Sequence, residues 1–176
     1  MLTFAFEGQL HVHQSLKKKD ADKFILETLN NFPVGLIGLD APLSLPGVFT
    51  DPEKYSDYFY RACDRQLKAM SPMFLGGLTA RAMRLASQLR GLGWEIGEVY
   101  PAALVKAIEL SAYAKTQIAS IPEVQSILGE FLNSLGTLPT LSNYHQVDSA
   151  LALLATHRKV SGEGQTIGDE EGLIWV

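Results

Sequence analysis

The segment Ile37–Pro46, IGLDAPLSLP, constrains this chain more than any other. Val34, Gly35 and Leu36 precede it, so an apolar run leads straight into one carboxylate, Asp40. The run is too short for a buried helix, and Pro42 and Pro46 follow it. A short apolar run bounded this way reads as a central strand, Val34–Leu39, covered on both faces as parallel strands are. Asp40 then sits where the strand ends, and the prolines stop the ladder from continuing. In open α/β sheets ligands bind just beyond the carboxyl ends of strands. Asp40 is therefore a candidate site residue. Its structural alternative is a turn acceptor or a helix cap.

The N-terminal residues alternate. Leu2, Phe4 and Phe6 share one face, and after a turn at Gly8-Gln9, Leu10 and Val12 do the same, which predicts a hairpin. His11 and His13 share a strand face; without a third ligand nearby they are expected to face solvent rather than hold a metal. Asp20 is placed to cap a helix over Ala21–Asn31 whose inward stripe is Phe24, Ile25, Thr28, Leu29 and Phe32. The predicted order is thus strand, strand, helix, strand.

Asp51-Pro52-Glu53 resembles a helix start, and the predicted helix carries Tyr55, Phe59, Ala62 and Cys63 on one side. Ser71-Pro72 and Gly76-Gly77 break the chain. Thr79 is expected to cap a second helix that ends at Gly91. Trp94–Pro101 predicts another strand, with Trp94, Ile96 and Glu98 on one face, followed by a helix over Ala102–Leu110. Pro122 opens a further helix with Val124, Ile127, Leu128, Phe131 and Leu135 inward. The last helix is expected over about Tyr144 to Lys159, with Val147, Leu151, Leu154 and Ala155 in the core. Asp148 lies on or beside that buried stripe, where a carboxylate needs a partner. Gly172–Val176 predicts a closing strand.

The chain has 176 residues, 47% of them hydrophobic and 19% charged, which is a globular composition sufficient for one domain with a core. No apolar run is long enough to span a bilayer. The first residues lack the basic start and apolar core of a secretory leader, so a cytoplasmic protein without a membrane partner is expected. A single cysteine, Cys63, excludes an internal disulfide and a multi-cysteine zinc site. Charge is segregated. Arg61, Arg65, Lys68, Arg81, Arg84 and Arg90 face the single acid Asp64, so this segment is +5 in a chain of net charge −4. Such a segment can hold backbone phosphates, or it can be the solvated face of ordinary helices.

Asp40, Glu98 and Asp148 come from separate segments, and each interrupts an apolar context. Brought together, three carboxylates repel unless a cation neutralises them. Oxygen ligands suit Mg²⁺ or Mn²⁺ rather than zinc, and such a centre activates water against a phosphodiester. The expected site is thus Asp40, Glu98 and Asp148 as metal ligands and catalytic groups, with the Arg61–Arg90 region on nucleic-acid phosphates. The structural alternative is an ion pair of Asp148 with an arginine such as Arg61. The chain has no GxxxxGK[ST] loop, no GxGxxG and no GxSxG elbow.

IGLDAPLSLP, Arg61–Asp64 (RACD), Glu98–Pro101 (EVYP), Val147–Ala150 (VDSA) and Ile167–Ile174 (IGDEEGLI) occur in this order. Together they resemble the predicted RNase H-like nuclease family, over most of the chain from residue 34 on. The resemblance implies an α/β, ribonuclease-H-like mixed sheet flanked by helices on both faces, and metal-binding acids at Asp40, Glu98 and Asp148. It places Arg61 and Asp64 in a motif whose role the residues do not give, an Arg–carboxylate clamp near the site being one reading; with Arg65 and Arg81 of the basic segment they are the expected substrate contacts. Two departures are expected to bear on activity. Family members open with an additional Asp-bearing strand ahead of the hairpin, and their last helix often begins with two acids three apart, where this chain has His145. A module of the same fold that binds nucleic acid or a protein without hydrolysis is the alternative function.

Overall fold

The computed structural model describes residues 1–33 and 35–176; Val34, expected to open the central strand, lies outside the described residues. The N-terminal hairpin forms as its alternation dictates. Strands β1 (Leu2–Phe6) and β2 (Gln9–His13) pair antiparallel with Phe4 opposite His11. The turn places Glu7 and Gly8 at φ 49° and 73°. The histidines are not simply solvated. Both are half-buried, and His11 stacks on Phe4 with ring centroids 4.9 Å apart.

Helix α1 (Ala21–Leu29) starts where Asp20 allows it, since that carboxylate accepts from the amides of Asp22 and Lys23. Strand β3 (Leu36–Leu39) follows and ends at Asp40. Helices α2 (Ala62–Leu67), α3 (Pro72–Leu75) and α4 (Gly77–Gly91) lead into β4 (Glu95–Val99). Next come α5 (Pro101–Ala107), α6 (Ile121–Phe131) and α7 (Tyr144–Ser161), then β5 (Thr166–Asp169) and β6 (Gly172–Trp175).

Strands β3 to β6 make one mixed sheet in the order β3-β4-β6-β5; β3, β4 and β6 are parallel and β5 is antiparallel. Pairing of Ile37 with Ile96 and of Leu39 with Glu98 sets the register, and side-chain alternation then divides the two faces. Ile37, Leu39 and Ile96 pack with Leu29 of α1 and with Leu85, Ala86 and Leu89 of α4. Gly38, Val99 and Trp175 belong to the opposite face, against α7. The sheet therefore carries helices on both sides, as an α/β chain of this pattern should. No helix among the described residues is long and apolar enough to cross a membrane.

Three expectations are corrected. No helix starts at Asp51-Pro52-Glu53, where the chain makes only a turn. The Asp57 carboxylate takes the amides of Phe59 and Tyr60, a local bond that competes with helix, and Phe59 is exposed. Thr79 does not cap α4; it lies within the first turn and donates to the Pro72 carbonyl, tying α3 to α4. Phe131 points outward and Leu132 fills the core instead. Strand β5 was not expected, because its four residues, TIGD, show no apolar run.

Two adjacent glycines make room on the α7 face of the sheet, Gly38 for the helix and Gly97 for an indole of β6. A Cβ on Gly38 would lie 2.1 Å from Thr156 Oγ1 of α7, and one on Gly97 would lie 2.0 Å from the Trp175 ring. These are rigid neighbours, so Gly97→Ala is expected to cost roughly 1–3 kcal/mol. It should also change the emission of Trp175, read by denaturant unfolding and fluorescence. Wild-type stability in that variant would mean that the indole is not seated on the glycine.

Candidate active site

The sequence motifs meet around one buried side chain. Arg61 precedes α2 and has no solvent exposure. Its Nε and Nη2 donate to Asp64 Oδ2 and Oδ1 at 3.0 and 2.7 Å. Nη1 and Nη2 donate to Glu98 Oε2 and Oε1, both at 2.7 Å, and Nη1 also reaches Ser44 Oγ at 2.9 Å. A guanidinium has five N–H donors in a planar fork, and here every one is used. Asp64 and Glu98 are themselves buried. Burial works against the Arg61 charge, but the bonds it donates to Glu98 and Asp64 outweigh it and hold the group protonated far above any physiological pH.

The flanking residues complete this arrangement. Glu98 Oε2 also accepts the Leu43 amide at 2.9 Å, so the loop after Asp40 is tied to β4. Glu171 accepts the amides of Gly47 at 2.7 Å and of Ala62 at 3.0 Å, joining the β5–β6 turn to that loop and to the start of α2. Gly172 must be small, because a Cβ there would lie 2.6 Å from Ser44 Oγ and 2.8 Å from Arg61 Nη1. Cys63 lies beneath Gly168, fully buried, and burial pushes its thiol up to about 12. The thiol is therefore not a nucleophile at neutral pH.

Glu98 is thus a structural acid. It was expected to bind a metal, but Arg61 and Leu43 occupy both of its oxygens. Arg61 and Asp64 were expected to touch substrate, and neither has surface to offer a phosphate. Arg65 is exposed, pairs with Asp57 and lies 4.6 Å over the Tyr60 ring. Arg81 and Arg84 both grip Asp22 of α1, at 2.8 and 2.9 Å, while keeping exposed surface. Those bonds hold the Asp22 carboxyl below the usual range.

Asp40 and Asp148 do come together. Both line the same cleft beside the end of β3, which His145 also lines. Asp148 bonds to the Tyr113 hydroxyl and to Lys115 Nζ, the latter at 2.8 Å. The expected ion pair of Asp148 is therefore with Lys115, not with Arg61. Asp40 is an exposed residue, but the cleft wall desolvates its carboxyl and raises it to about 6; the Asp148 charge adds to this, Lys115 opposes it and Glu98 contributes further. Asp40 keeps a solvent-open side, which screens part of that repulsion. Tyr113 is pushed up as well, by burial and by its bond to Asp148. Neither Tyr113 nor Lys115 stands out in the sequence, because residues 111–120 are polar without a period. Among the described residues no three His, Cys, Asp or Glu side chains lie close enough to share one ion.

Comparison with protein-family models, with curated proteins and with solved structures finds no match to this chain.

Arg61→Met leaves two carboxylates buried without a counter-charge and is expected to cost about 3–5 kcal/mol in urea unfolding. Arg61→Lys should recover little, since an ammonium cannot bridge two carboxylates in a fork. A loss below about 1 kcal/mol would contradict the assigned role. For Asp40 the sign is the reverse. Its folded pKa lies above the unfolded value, so the folded state binds more protons between about pH 4 and 6 and stability falls as pH rises through that window. Asp40→Asn should therefore melt about 2–4 °C above wild type at neutral pH and level with it near pH 4. Equal melting at both pH values would show that Asp40 is not repelled.

Proposed function

We propose that this chain is a ribonuclease-H-like module whose Asp40–Asp148 pair takes a hard divalent ion, Mg²⁺ or Mn²⁺, and that its reaction is phosphodiester hydrolysis in nucleic acid. One observation carries the reading: two carboxylates from distant segments share a cleft at the end of a parallel strand, with Asp40 raised to about 6 partly by the charge of Asp148. Mutual repulsion of that kind is relieved by a cation. The order hairpin, helix, parallel strands and long final helix, and the ordered motifs around Arg61, support the family resemblance.

The three-acid set does not fit, because Glu98 is saturated by Arg61 and Leu43. The pair fits as part of a set, being oxygen-only: each Asp148 oxygen carries a single partner, one of them the exposed Lys115, whereas Glu98 is held by a buried arginine fork. An ion there would supply Lewis acidity toward a phosphoryl oxygen. The chain's own groups do the rest. Lys115 and Tyr113 fix the orientation of Asp148, and binding of the ion would displace the proton that Asp40 carries without it. Exposed Arg65, Lys68 and Arg84 give the phosphate backbone a salt-sensitive hold. The second reading, a module that binds without cutting, is favoured by the lack of a third ligand among the described residues.

Mn²⁺ calorimetry on wild type and Asp40→Asn separates these readings. The proposal expects saturable binding weakened by roughly tenfold or more in the variant, about 1.4 kcal/mol, together with Mn²⁺-dependent cleavage of oligonucleotides. Identical titrations would remove the ion site. Salt-sensitive oligonucleotide binding without cleavage would select the second reading.

A further inference from the structure

The same cleft carries an independent inference over its apolar length. It has a volume of about 590 Å³ and is lined by every residue of β1, Leu2 to Phe6, and every residue of β3, Leu36 to Leu39. A cavity against the face of a strand would meet only alternate residues. Consecutive residues mean that it opens on the strand edges. The other edge of β1 is paired with β2 and the other edge of β3 with β4, and the two strands belong to separate sheets. Two unpaired edges therefore border one slot.

Helices close the slot above and below. Ser149, Ala152 and Leu153 of α7 line it on one side, and Ile25 and Leu29 of α1 with Leu89 of α4 on the other. Helix α7 packs against both β1 and β3 and so bridges the gap between them. Thr3 of β1 lines the slot and is 8% exposed, and its hydroxyl has no hydrogen-bond partner. Buried polar groups are ordinarily satisfied.

We infer that this slot receives an extended apolar segment of another polypeptide, inserted as a strand between β1 and β3. Only an extended backbone offers donors and acceptors along both of its edges at once, and strand addition to exposed sheet edges is an established recognition mode. A lipid or aromatic ligand would fill the volume but leave both edges unpaired. A second copy could present only strands still attached to their own sheets, too thick for a slot covered on both faces. The segment spans about five residues, the length of β1, roughly 17 Å. Because helices cover both faces, its side chains are apolar at consecutive positions rather than alternate ones. The insertion does not depend on the ion site.

The test uses a fluorescent peptide with five consecutive valine and isoleucine residues between lysine tails, and the same peptide N-methylated at alternate residues. Fluorescence anisotropy should show saturable binding to the full chain, weakened roughly tenfold or more by N-methylation, which removes backbone donors as proline does. Hydrogen exchange should slow in β1 and in β3 together when the unmodified peptide is bound. Ser149→Phe, which fills the slot from α7, should weaken binding while wild-type-like circular dichroism shows that it folds. Equal binding of the N-methylated peptide, protection of only one strand or neither, or unchanged affinity in a folded Ser149→Phe would each overturn the inference. So would peptide-sized protection produced by self-association of the chain alone.

Discussion

Arg61 is the side chain on which this architecture depends. A guanidinium without solvent contact is tolerable only if its charge and all five donors are answered. Asp64, Glu98 and Ser44 supply those answers from three different segments. The result fixes the start of α2, the end of β4 and the loop after β3 relative to one another. Burying three charges is costly, and a well-packed apolar substitute can be as stable. What the arginine gives instead is geometry: a planar fork accepts its two carboxylates in one arrangement.

This arrangement also decides which acids remain available for chemistry. Glu98 and Asp148 look alike in sequence, each a carboxylate in an apolar row. The fold separates them. Glu98 extends the face that Arg61 meets, and its charge is spent there. Asp148 faces the cleft with a flexible lysine and a tyrosine, partners that leave part of its oxygen valence open. Asp40 stands between the two and feels both charges. Although Glu98 is paired with Arg61, its charge still adds to the rise of Asp40.

Much of the fold was legible from periodicity. The hairpin, α1 with its Asp20 cap, β3, β4 and the inward stripe of α7 follow from spacing that local sterics enforce. The misses have local causes. Asp57 bonding its own backbone replaced a predicted helix with a turn, and β5 was too short and polar to register. The site was only half legible. Sequence identifies acids in apolar surroundings but not the partner each will find, because the pairing of Arg61 with Glu98 spans 37 positions and that of Lys115 with Asp148 needs the tertiary fold. Several residues of the ordered motifs proved to be the packing around a buried ion pair.

Cys63 makes that region observable. It adjoins Arg61 in sequence and is the sole thiol of the chain, fully enclosed and poorly ionised. A disulfide reagent in solution can reach it only when α2 lifts from the β5–β6 turn. Labelling kinetics under native conditions would thus report how often the arginine's enclosure breathes, one molecule giving one event, without introducing any probe.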